Sequence, residues 1–124
     1  MNAVAQVFAV IAGLIHVGIF VVESVVFRRP QIHRRFLVAP EDVDVVRQWA
    51  LNQGVYNLFL ALGALGGVVV LAVGDETVGR TLVLFSCGCM VAAGLVLLAT
   101  ERSLARSALV QAVPPLVVLA LAAV

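Results

Sequence analysis

Apolar residues fall along the chain in four long blocks, roughly 3–27, 51–73, 81–100 and 107–124, with the polar residues gathered between them. A membrane-crossing helix needs about 20 predominantly apolar residues, so each block is long enough for one crossing. The pattern predicts an all-α polytopic membrane four-helix bundle in one domain, 1–124. Arg28-Arg29-Pro30 ends the first span, because proline removes a backbone donor and biases the preceding residue toward extended geometry. Pro40 suits the first position of a helix, and Glu41, Asp42 and Asp44 follow where the helix dipole favours carboxylates. The second helix is therefore expected to start near residue 40, outside the bilayer, and to enter it near Trp49, a residue favoured at the interface. Gly74-Asp75-Glu76-Thr77 reads as a short turn between antiparallel neighbours. In the last span Pro114-Pro115 removes two helical donors, which predicts a kink.

Composition sharpens this picture. Hydrophobic residues make up 63% of the chain and charged ones 12%, against about 45–50% and about 25% in soluble domains, which excludes a water-soluble enzyme. The net charge of +1 conceals a segregation. Arg28, Arg29, Arg34, Arg35 and Arg47 lie between the first and second spans, Arg102 and Arg106 between the third and fourth, and only Arg80 flanks the other connection. The positive-inside rule puts loops 28–50 and 101–106 in the cytoplasm and both termini outside, and so strong a bias argues against insertion in both orientations. The first block lacks a basic start and a small-residue cleavage site, so it is expected to stay as a helix. Basic residues confined to loops give no case for nucleic acid; membrane lipids are the expected partners of the arginines. Cys87 and Cys89 point to nearly opposite sides of a helix, a poor geometry for a disulfide. Gly63-xxx-Gly67 permits close helix crossing, expected to serve packing within the chain, while a homo-oligomer stays open.

The chemistry of interest lies in the few polar residues inside the blocks. Of the 15 charges, only Glu23 falls within a block, and an intramembrane carboxylate is costly enough to require the bundle interior or a partner such as Arg28 or Arg47. His16 lies seven residues earlier, on the same face, with Phe20 between them. Asn52 with Tyr56, and Gln53 with Asn57, are four apart and form a broad polar stripe at the start of the second span, with Gly54 leaving a gap. Gln111 of the fourth span starts from the same side. Together these residues are expected to build a buried polar pocket between the first, second and fourth spans; interhelical hydrogen bonding is the plainer alternative. One His and one carboxylate fall short of a zinc site, and no phosphate loop, nucleophile elbow or dinucleotide fingerprint occurs, so neither metal nor cofactor is expected.

The order His16…Glu23, then Asn52-Gln53-Gly54-Val55-Tyr56-Asn57, then Val110-Gln111 with Pro114, resembles the small four-helix bacterial membrane proteins grouped as domain-of-unknown-function family 1304. The resemblance covers nearly the whole chain. It implies an integral protein of the bacterial cytoplasmic (inner) membrane and no established activity, with His16, Glu23, Asn52, Gln53, Tyr56, Asn57 and Gln111 as the family-like polar positions. The residues support first a protein that binds or carries a small lipophilic or amphiphilic molecule. Two alternatives stay open: a membrane-embedded lipid isomerase or epimerase with Glu23 and His16 as acid and base, and a proton-coupled exporter of small multidrug type.

Overall fold

The computed structural model describes residues 1–123; the last residue of the expected fourth span, Val124, lies outside them. Helix α1 runs over Ala3–Phe20 and passes into a π-helical turn, Val21–Val25. Asn2 caps its start by accepting a 2.8 Å hydrogen bond from the Ala5 amide, satisfying one of the orphan donors of the first turn. A short helix α2, Pro30–His33, follows with proline at its first position, then a 3₁₀ turn over Arg34–Phe36. A further 3₁₀ turn at Pro40–Asp42 leads into helix α3, Val43–Ala72. The expected start near residue 40 is thus where helical geometry begins.

Gly74 turns the chain at φ +102°, a left-handed conformation that glycine adopts without steric cost. The Asp75 side chain then caps helix α4, Glu76–Thr100, by accepting from Val78 at 3.0 Å. After a 3₁₀ turn at Arg102–Leu104, helix α5 runs over Ala105–Ala122 and remains helical on both sides of Pro114 and Pro115. Cys87 and Cys89 are both free thiols.

The four long helices form a ring. Helix α1 packs between α3 and α5, and α4 packs between the same two on the opposite side, so that α1 and α4 face each other across the diagonal. The inner face is rich in small residues: Ala5, Ala9 and Ala12 on α1, Ala61, Ala64 and Gly67 on α3, Gly79 and Gly94 on α4, and Ala108 on α5 are buried, around a few larger side chains, Val83, Met90 and Val118. Large apolar residues such as Val7, Leu14, Phe59, Leu62, Phe85 and Leu95 point outward. A soluble bundle has the reverse arrangement. In lipid there is little hydrophobic drive between helices, so small residues that allow close backbone approach take the interior.

The contacts are correspondingly tight. A Cβ on Gly67 would lie 2.9 Å from the Gly79 carbonyl oxygen, and one on Gly63 would lie 2.2 Å from Ser86 Oγ. The Gly63-xxx-Gly67 face is therefore consumed by the α3–α4 crossing within the chain. All four elements Ala3–Val25, Pro40–Ala72, Glu76–Thr100 and Arg102–Ala122 are long and apolar enough to cross a membrane.

Candidate functional site

The π-helical turn at the end of α1 organises the site. Its widened hydrogen bond runs from the Val26 amide to the Val21 carbonyl at 3.0 Å. Such single π turns are rare and recur at functional sites. Helix α3 approaches this turn at Gly54, where a Cβ would lie 2.0 Å from Ser24 Oγ and 3.2 Å from the Phe20 carbonyl. Ser24 Oγ donates to the Leu51 carbonyl at 3.1 Å, tying the two helices together at the gap glycine leaves.

Glu23 projects from the same turn. Its Oε2 accepts from Asn57 Nδ2 at 3.0 Å, and that amide nitrogen also donates to the Gln53 carbonyl at 3.1 Å. The carboxylate is thus anchored to α3 through an amide. Arg28, one of its expected partners, pairs instead with Asp44 at 3.0 Å.

On the other side of Glu23 opens a cleft of about 650 Å³. Ile15 and Ile19 of α1 with Val22 of the π-helical turn form one apolar wall, Leu97 of α4 with Leu104 and Val110 form the other, and Ile32 and Phe36 line it from the loop. Five polar side chains reach it: Glu23, Arg35, Arg106, Ser107 and Gln111. Its size lies within the roughly 300–1,000 Å³ usual for small-molecule sites, and its mainly apolar lining with a few polar groups matches their usual character. The connection that carries Arg35 is pinned. His33, 3% exposed, donates through Nδ1 to the Val38 carbonyl at 2.8 Å, and Phe36 packs on Phe27 with ring centroids 5.9 Å apart.

Of the residues singled out in the sequence, Glu23 and Gln111 line this cleft and Asn57 holds Glu23 from behind. His16, Phe20, Asn52, Gln53 and Tyr56 do not line it. Tyr56 is 55% exposed and stacks edge-on to Phe59 along the outer face of α3. Asn52 lies in an open depression of about 500 Å³ beside Trp49 and Val55, formed by α3 alone. His16 is fully buried in the bundle. Its Nδ1 donates to the Ala12 carbonyl at 2.9 Å, and Nε2 has no partner among the described residues. It stands about 10 Å from Glu23 along the helix axis, at 1.5 Å per residue. The third wall of the site therefore comes from the 28–42 connection rather than from α3.

Arg35, Arg106, Ile32 and Phe36 were not among the expected site residues. A signal for them exists: Ile32 and Phe36 are four apart in an otherwise basic segment, as are Arg106 and Val110, and Ser107 and Gln111, so each pair shares one helical face. Among the described residues no three His, Cys, Asp or Glu side chains are grouped so as to hold a metal ion.

A bundle lined with alanine and glycine, coated with large apolar residues and carrying four membrane-length helices defines a multi-pass membrane protein. The chain belongs to the family described as "Protein of unknown function (DUF1304)", whose model matches residues 10–123. No protein with a curated description and no solved structure matches it.

Proposed function

We propose that this protein binds or carries a small lipophilic or amphiphilic molecule in the cleft between α1, α5 and the 28–42 connection. The observation that carries the reading is the position of Glu23. It stands on the wall of a mainly apolar cleft, with one oxygen engaged by Asn57 and the other available to accept from a ligand. Gln111 stands in the same cleft and offers both a donor and an acceptor. A carboxylate kept at membrane depth costs stability, and among the described residues this one makes no ion pair. That arrangement serves recognition better than packing.

Seven of the eight arginines lie at the end of the bundle where the cleft opens, and by the positive-inside rule this end faces the cytoplasm of a bacterial cell, with both termini outside. The cleft would then be loaded from the cytoplasmic leaflet. The lipid-isomerase reading would require an acid and a base at one substrate, whereas His16 does not line the cleft.

The test is a thermal-shift screen of the purified protein across a lipid and metabolite panel, repeated with Glu23→Gln and Gln111→Ala. The expected result is stabilisation by a subset of amphiphiles to a degree that both variants change. Equal stabilisation of wild type and both variants by every compound would overturn the proposal.

A further inference from the structure

The cleft has a polar mouth as well as an apolar depth, and the mouth carries more positive than negative charge. Arg35 reaches it from the 3₁₀ turn after α2, and Arg106 from the first turn of α5. The ion pairs among the described residues are Arg28 with Asp44 and Met1 with Glu76, so neither guanidinium is neutralised by a carboxylate. Glu23 is turned toward Asn57. Deeper in, Val22 of the π-helical turn and Ile19 and Ile15 of α1 follow one another over about 10 Å of helix, a depth suited to an alkyl chain.

We infer that the ligand is a single-chain amphiphile with an anionic head, a carboxylate or a phosphate monoester, seated between Arg35 and Arg106 with its chain between α1 and α5. This rests on the cleft being a ligand site, as proposed above, and adds the charge of the head and the residues that read it. Two guanidiniums lining one cleft from different elements can each donate to an oxyanion, and such charge-assisted hydrogen bonds are the stronger kind. The apolar walls supply the affinity that a free anion would lack.

The experiment uses the full chain in phosphatidylcholine nanodiscs, where no lipid carries net charge. Spin-labelled dodecanoate is the probe, and its immobilised fraction is the readout. Unlabelled dodecanoate and dodecyl phosphate are expected to displace it, dodecyltrimethylammonium and dodecanol to be much weaker, and acetate or inorganic phosphate to do nothing. Arg35→Gln and Arg106→Gln are each expected to weaken binding about tenfold, whereas Arg34→Gln, outside the cleft, leaves it unchanged. An equal loss in Arg34→Gln would overturn the inference, because it would show general attraction to a basic surface. Displacement by dodecanol and dodecanoate alike, with both cleft arginine variants unaffected, would also overturn it while leaving the cleft reading standing. Failure of every chain-bearing probe to displace the label would remove both.

Discussion

Replacing Gly54 by alanine tests whether the α1–α3 contact at the π-helical turn is as close as the site requires. The added Cβ would meet Ser24 Oγ at 2.0 Å, Glu23 Cβ at 3.1 Å and the Phe20 carbonyl oxygen at 3.2 Å. Ser24 can rotate away, but only by giving up its hydrogen bond to Leu51, worth about 0.6–1 kcal/mol. The Phe20 carbonyl is backbone and cannot rotate, so the helices must separate slightly, an overpacking cost of about 1–3 kcal/mol. Alanine returns about 1 kcal/mol of helix propensity, which leaves a net destabilisation of about 2 kcal/mol. Equilibrium unfolding in mixed detergent micelles measures it. Gly18→Ala is the matched control on α1, because its Cβ would meet nothing within 4 Å, and it should be neutral or slightly stabilising. The double variant Ser24→Ala/Gly54→Ala should recover part of the loss, since the shortest clash is gone. If Gly54→Ala is as stable as wild type, or the double variant is no better than the single, the close approach is not what fixes Glu23.

Three further expectations follow from other positions. Gly79→Ala on α4 places a Cβ 2.7 Å from the Leu71 amide nitrogen and 2.8 Å from the Gly67 carbonyl oxygen; with backbone on both sides, the loss should reach about 3 kcal/mol in the same unfolding assay, while Gly88→Ala, which meets nothing within 4 Å, should not destabilise. Leu37 sits at φ 61° and is 61% exposed, so Leu37→Asn should stabilise by about 1 kcal/mol by relieving left-handed strain with little packing lost; a lower stability would refute this. Donation from the Ser103 hydroxyl and backbone amide holds the Glu101 carboxyl below the usual carboxylate range. Its contribution to the turn before α5 should therefore be present above the unfolded-state pKa and fade as pH falls through the lower folded-state one. An NMR titration of the Ser103 amide should show that low midpoint, and Glu101→Gln should abolish it.

The bundle was legible because its signals are global. Four apolar blocks set the helices, Pro40 and Gly74 set two boundaries, and the arginines collect at one end of the molecule. The rotation of each helix was harder to read. The stripe of Asn52, Gln53 and Tyr56 invites burial as a unit, yet the face α3 turns inward is the small-residue one, Gly54, Ala61, Ala64 and Gly67. Helix α3 has 30 residues and is about 45 Å long, whereas the hydrocarbon core is about 30 Å thick. With its C-terminal end at one boundary, the other falls close to Gln53. Asn52 and Gln53 then sit among head groups, where an exposed amide costs nothing, and Tyr56 takes the interfacial position that suits a phenol. Only Asn57, one step further round, turns in to meet Glu23.

The π-helical turn could not have been read at all, since Val21–Val25 contains no residue type that demands it. It sits where two contacts meet: α3 comes close at Gly54, and Ser24 reaches the Leu51 carbonyl. An extra residue in the turn changes where the following side chains point, so the seven-residue spacing of His16 and Glu23 no longer places them on one face as it would in an unbroken α-helix. His16 remains in the dry interior, and Glu23 moves to the junction of α3 with the cleft. The same turn delivers the chain to the 28–42 connection, whose Ile32, Arg35 and Phe36 close the cleft from its end. The candidate site is thus a property of a helix irregularity and a loop, both of which depend on packing between segments distant in sequence. A reading residue by residue finds its carboxylate, but not the wall that faces it.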